Sequence, residues 1–306
     1  MTKEISIDDI VAQVTERVAR RLKEVGISMD KAGRDGACTA SKENCTNCGQ
    51  CVSKKTAAVG NIVDIGAARI GSSLGVGSKG VDEKMASMID HTLLKPDATK
   101  DDLEKLCKEA RQFHFATVCV NSSNIPLAAR FLKGSDVKPI AVVGFPLGAA
   151  TTHSKVCESR EAISAGAREI DMVINIGAIK SKDYRTVYED IKAVVDVCRP
   201  YKVKVIIETS ALDRDEKVAA CVLSKAAGAA FVKTSTGFGS GGATIEDIML
   251  MRKIVGSDME VKASGGIRTK EDAEAMVKAG ADRIGASASV AIVTGAETKK
   301  AASGKY

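Results

Sequence analysis

The chain has 306 residues, 44% of them hydrophobic, enough to bury one large core or two modest ones. Its formal net charge of +6 is spread along the sequence and aromatics make up 3%, which excludes the stacking platforms of a single-stranded nucleic-acid binder and leaves a solubility feature or a lure for anionic substrates. No apolar run is long enough for a bilayer, and the start is amphipathic rather than signal-like, so neither membrane nor nucleic acid is an expected partner; nine cysteines without a signal fit a reducing, cytoplasmic setting.

Residues 1–26 predict a helix. Ile7, Val11, Val14, Val18, Leu22 and Val25 step by threes and fours onto one face, opposite Glu16, Arg17, Arg20 and Lys23. Ser6 can cap its start, Asp8 and Asp9 suit the first turn, and Gly26 sits where it would stop. Residues 27–81 are rich in Gly, Ser, Ala and Lys and end in a linker-like stretch. They contain Cys38, Cys45, Cys48 and Cys51. Four thiolates so close can hold zinc or an iron–sulfur cluster; free thiols or a redox-labile disulfide are the alternative. The tight triplet looks like a ferredoxin half-site, but its fourth cysteine comes first and the usual Cys-Pro is missing.

Residues 82–298 alternate regularly. Eight short apolar runs contain or end at Ile89-Asp90-His91, Thr117–Asn121, Ala141–Gly144, Ile170–Ile174, Val205–Glu208, Ala230–Lys233, Glu260–Lys262 and Arg283–Gly285. Helical patterns separate them, among them 183–198, 215–227, 244–255 and 270–279. Runs apolar on both faces suit a parallel sheet covered by helices, and eight β/α repeats in this length predict a closed (β/α)8 TIM barrel. A doubly wound open sheet is the alternative, but the segment after the first strand, Leu93-Leu94-Lys95-Pro96, lacks a glycine-rich fingerprint.

In such a barrel the chemistry gathers at the C-terminal strand ends. The polar residues that close the runs are Asp90, Cys119, Asn121, Asp171, Asn175, Glu208, Lys233, Lys262, Ser264 and Ser287. Lys233 closes an apolar strand, where a charged amine is costly to bury. Lys262 holds the matching place on the next strand, about 4.8 Å away. Desolvation and a neighbouring cation both lower a lysine pKa, and a neutral amine is what a Schiff-base nucleophile needs. The alternative is that both lysines snorkel to the rim or that one pairs with Glu208. Asp171, inside an apolar run, can be a proton relay through water or a partner in a structural ion pair. Ser264-Gly265-Gly266-Ile267 and Ile284-Gly285-Ala286-Ser287 end strands seven and eight, where this fold often holds phosphate. His91, His114 and His153 show no metal-ligand spacing, so the chemistry is expected to need no metal; His91 is placed to orient substrate, the other two on the surface or at helix ends.

Residues 85–290 resemble the deoxyribose-phosphate aldolase family through Ile89–Pro96, Val118–Asn121, Val143–Gly148, Glu169–Asn175, Phe231–Phe238 and Lys262–Arg268. The resemblance implies a class I aldolase that cleaves 2-deoxy-D-ribose 5-phosphate reversibly to D-glyceraldehyde 3-phosphate and acetaldehyde, with no cofactor for the aldol step. It makes Lys233 the Schiff-base lysine, Lys262 the residue that lowers its pKa and Asp171 the proton relay. Asp90, Cys119 and Thr236 fall in the substrate site, and Gly237, Gly265, Gly266, Gly285 and Ser287 in the phosphate cradle. Residues 299–306 end in Tyr306, which in some members of the family shuttles a proton; a plain polar tail is the alternative. The first helix resembles the encapsulation peptides of bacterial microcompartments, which implies shell-protein partners; packing on the barrel or driving oligomerisation is the other use of its apolar stripe. A homodimer is expected. Competing functions are an aldolase for another sugar phosphate and a microcompartment metal-cluster component with a vestigial barrel.

Overall fold

A computed structural model describes residues 7–27 and 81–296. Eight parallel strands close on themselves in sequence order: β1 (Ile89–Leu93), β2 (Thr117–Asn121), β3 (Lys138–Val143), β4 (Glu169–Val173), β5 (Lys202–Ile206), β6 (Phe231–Lys233), β7 (Glu260–Ser264) and β8 (Arg283–Ala286). The barrel is the TIM architecture that the alternation predicts. Before it come α1 (Ile7–Glu24) and the short α2 (Glu83–Ala86). Between and after the strands stand α3 (Lys100–Phe113), α4 (Ile125–Phe131), α5 (Thr152–Ser164), α6 (Ile176–Lys180), α7 (Tyr184–Cys198), α8 (Arg214–Ala226), α9 (Ile245–Val255), α10 (Lys270–Ala279) and α11 (Ser289–Thr294).

Local chemistry sets the helix starts. Thr99 before α3, Asp213 before α8 and Thr269 before α10 each form a capping box with the acidic residue three places on, Asp102, Glu216 and Asp272. The outward strand residues and the inner helix faces make the main core, with Val118, Ile170, Met172, Val203, Val205, Val261 and Ile284 at most 2% exposed. The barrel lumen is different. It carries charge.

α1 docks on the outside of the barrel against α7 and α8. Val14, Val18 and Leu22 are buried there, and Arg17 and Asp8 reach Asp215 and Lys253. Of the two uses of the apolar stripe, the structure shows the helix packed on its own barrel. The four clustered cysteines, the linker, Ser6 and Tyr306 lie outside the described residues.

Candidate active site

The site starts from strand register. Lys233, the last residue of β6, pairs with Lys262 on β7; Asp171 on β4 pairs with Lys204 on β5; Asp90 on β1 pairs with Gly285 on β8. The barrel turns these side chains into the lumen. Lys233 Nζ lies 2.9 Å and Lys262 Nζ 2.8 Å from the same oxygen, Oδ2 of Asp171. Lys262 also reaches Asp90 Oδ2 at 2.5 Å, while Arg283 and Thr117 donate to Asp90 Oδ1 at 2.8 and 2.6 Å. Lys204 donates to Glu169 and, at 3.1 Å, to Asp171 Oδ1.

The cluster therefore holds three carboxylates (Asp90, Glu169, Asp171) and four basic side chains (Lys204, Lys233, Lys262, Arg283), nearly all shut off from solvent. With every group charged there is one cation too many. Lys204 faces three carboxylates within 4.0 Å and Lys262 faces two, but Lys233 faces one, which it shares. Lys233 is thus the cheapest amine to deprotonate. Burial pushes its pKa below the usual lysine value, Asp171 opposes, and the Lys262 charge pushes it down further. Lys262 and Lys204 go the other way: burial disfavours their charge, but Asp171, Asp90 and, for Lys204, Glu169 outweigh it. Asp171 and Asp90 hold their charge well below the usual carboxylate range, because the surrounding cations overcome the cost of burial. The result is one amine that holds its proton less firmly than its neighbours do, set among fixed charges.

Cys119, close to these charges, belongs to an apolar cluster. Leu94, Cys119, Ile140 and Val142 are buried together, with Phe145 and Phe238 packed edge to face over them at 5.2 Å between ring centroids. Burial and the Asp171 charge push the Cys119 thiol up to about 11, so it stays protonated and does not compete as a nucleophile at neutral pH. Fixed charges and an apolar cluster thus meet at Cys119, the makings of a small-molecule carbonyl site.

Loops after β6, β7 and β8 complete the mouth. Gly265 and Gly266 have left-handed backbone (φ 89° and 83°), a sharp turn in which successive N–H groups can face an anion. Gly237 turns the loop after β6, where Thr236 bonds through its hydroxyl and N–H to Glu208. Ser287 is exposed just past β8, before α11. Gly285 lies within β8 itself; a side chain there would meet Lys262 Cε at 3.0 Å and Ser264 Cβ at 2.9 Å, so its absence makes room for the lysine.

The structure departs from the sequence reading in several places. Lys233 does close its strand, but Asp90, Asp171 and Lys262 are second or third in theirs and sit in the lumen rather than at the rim. Asp90, read as a substrate contact, has its oxygens engaged by Lys262, Arg283 and Thr117. His91, expected to face the substrate, alternates with Asp90 and points into the helical layer, to Glu109 at 3.0 Å and Ser289 at 2.9 Å. Glu208 pairs with neither lysine. His114 is the exposed C-cap of α3 and His153 lies in the first turn of α5, as expected. Lys204, Glu169 and Arg283 are site residues that sequence reasoning missed. The alternation Lys202-Val203-Lys204-Val205-Ile206 puts Lys204 on the face of Ile206, a signal open to reading; its carboxylate partners depend on register. Among the described residues no group of three His, Cys, Asp or Glu side chains is arranged to hold a metal ion.

A family model described as DeoC/LacD family aldolase matches residues 84–301. The deoxyribose-phosphate aldolase of Clostridium perfringens strain SM101 is 62% identical over 214 residues, 70% of this chain and 96% of that protein. That of Thermotoga maritima is 58% identical over 217 residues, 71% and 88%. The solved deoxyribose phosphate aldolase of Aeropyrum pernix, described as a unique tetramer, superposes with a TM-score of 0.66 at 34% identity, covering 69% of this chain and 91% of that one.

Proposed function

The chain belongs to the DeoC/LacD family of aldolases, and from that premise we propose how it acts as a deoxyribose-phosphate aldolase, a class I carbon–carbon lyase. The observation that carries the reading is the surplus cation of the lumen. A neutral Lys233 attacks C1 of open-chain 2-deoxy-D-ribose 5-phosphate; the carbinolamine loses water to an iminium. The products have two and three carbons, so the C2–C3 bond breaks. Its electrons flow into the iminium to form an enamine as the C3 hydroxyl gives up its proton. Asp171, held ionised by Lys204, Lys262 and Lys233, takes that proton through water. What remains at C3 is the aldehyde of D-glyceraldehyde 3-phosphate. Protonation at C2 and hydrolysis then free acetaldehyde and Lys233. The iminium is itself the electron sink, so the aldol step calls for no metal.

Lys262 keeps Lys233 proton-poor, and Gly237, Gly265, Gly266 and Ser287 take the phosphate at the rim. Tyr306, if it reaches the mouth, is the donor to C2, which Tyr306→Phe would test through the rate of deuterium uptake by acetaldehyde. Borohydride added with 2-deoxyribose 5-phosphate should leave a reduced adduct on Lys233; an active enzyme with no adduct there removes the mechanism. Turnover of D-ribose 5-phosphate in preference to the 2-deoxy sugar would instead favour the other-substrate reading.

A cytoplasmic setting is part of the proposal, supported by nine cysteines that suit a reducing compartment. Shell-protein capture within a microcompartment needs α1 released, since Val14, Val18 and Leu22 are buried against α7 and α8. Zinc or iron at Cys38, Cys45, Cys48 and Cys51 is a question for elemental analysis. Homodimer formation fits the exposed Ile245 and Met249, one turn apart on α9, and sedimentation tests it.

A further inference from the structure

We infer that Glu208 is a positioning residue that holds the loops after β6 and β7 in place for the substrate's phosphate, an inference that rests on the aldolase reading above. Glu208 follows β5 by two residues and is 5% exposed. Its backbone is left-handed (φ 54°), a conformation that costs any residue with a side chain and persists where the surroundings enforce it. It takes no part in the lysine network. Among the described residues its carboxylate receives hydrogen bonds from the loop after β6 and from its own: Oε2 accepts the Thr236 N–H at 2.9 Å and the Thr236 hydroxyl at 2.5 Å, and Oε1 accepts Ser210 Oγ at 3.2 Å. A buried carboxylate so placed is expensive unless it is hydrogen-bonded, and here two of its three bonds come from Thr236 in the loop after β6.

Close packing carries the restraint onward. A Cβ on Gly239 would lie 2.7 Å from Glu208 Oε1, and one on Gly241 would lie 2.9 Å from Ser210 Cβ. Residues 236–241 are thus drawn down onto the segment after β5. Two residues later the Ala243 N–H donates to Gly265 O at 3.0 Å, and a Cβ on Gly242 would come within 2.3 Å of that same oxygen. The β5 loop therefore supports the β6 loop, which supports the β7 loop, and these last two carry Gly237, Gly265 and Gly266. The Lys233 side chain does not depend on the Glu208 carboxylate. Its strand pairing, the Ile207 N–H bond to its carbonyl and Asp171 fix it without that group. Loss of the clamp should blur phosphate binding and spare the chemistry.

The test uses the full-length enzyme with 2-deoxyribose 5-phosphate and with 2-deoxyribose, which lacks the phosphate. Glu208→Ala should raise KM for the phosphorylated sugar about tenfold or more while kcat stays within about threefold. Its kcat/KM on 2-deoxyribose should stay within about threefold of wild type. Glu208→Gln should behave much like wild type, because an amide oxygen still accepts from Thr236 and the Ser210 hydroxyl can turn to accept from the amide. If Glu208→Ala does not fold, Gly239→Ala presses on Oε1 from the other side and should show the same selective loss. Equal losses on both sugars, no loss on either, or a Gln variant as poor as Ala would overturn the inference. A wild-type enzyme inactive on 2-deoxyribose 5-phosphate would sink the aldolase reading itself, before the variants are compared.

Discussion

Replacing Lys262 with methionine removes the charge that sits beside the nucleophile and keeps most of the apolar stem. Lys233 and Lys262 lie 2.9 and 2.8 Å from one oxygen of Asp171, so their nitrogens are at most about 5.7 Å apart, the sum of the two. At an effective dielectric near 20, unit charges at that range repel by about 3 kcal/mol. That repulsion disfavours the proton on Lys233, so its loss raises the Lys233 pKa. A second effect has the same sign: Asp171, freed of Lys262, binds the Lys233 ammonium more strongly. The amine thus keeps its proton to higher pH, and the neutral fraction at any pH below its pKa falls about tenfold per unit. The assay is kcat/KM against pH for wild type and Lys262→Met, with circular dichroism to show that both are folded. The acid limb should move to higher pH, with borohydride trapping following it. An acid limb that stays put or moves to lower pH would refute the reasoning.

Asp90→Asn should lower unfolding stability by about 3–5 kcal/mol at neutral pH, because it leaves buried Lys262 and Arg283 without that counter-charge. The folded Asp90 pKa lies below the usual 3.8, so its contribution is present above that value and is lost as pH falls through the lower folded one. Urea melts should therefore show the wild-type advantage shrinking only in strong acid; a pH-independent difference would contradict this. Gly285→Ala should lower kcat more than it raises KM, since the new methyl meets Lys262 Cε; a pure KM effect would return Gly285 to the phosphate cradle. Val18→Asp places a charge in the α1 interface and should free the helix, at a cost of several kcal/mol, roughly that of exposing Val14, Val18 and Leu22. Limited proteolysis reads the release, and kcat should not change, because α1 touches α7 and α8 on the outer layer.

Much of the site was legible from local pattern. Lys233 and Lys262 close or interrupt neighbouring apolar runs at matching places, and the register pairs them directly. Asp171 in an apolar run needed a partner, and it has three. Lys204 escaped because two lysines in a five-residue strand look like an edge or a solvated face, and a charged lumen does not announce itself in hydropathy. Glu208 was visible as a strand-end carboxylate, yet its partner Thr236 lies 28 residues on and across a loop.

What the amino-acid order decided alone was local. The spacing of apolar residues set eight strands and their helices, the Thr and Asp caps set where helices begin, and period-two alternation set which residues share a strand face. The tertiary structure decided which of those faces looks inward and how far each strand is staggered against the next. A slip of one residue would turn His91 into the lumen and Asp90 out of it. Closure of the barrel, with its fixed tilt and stagger, is what brings Asp171, Lys262 and Lys233 from separate strands to a single oxygen atom. No local energy encodes that meeting, because the charges are compensated only once all eight strands are in place.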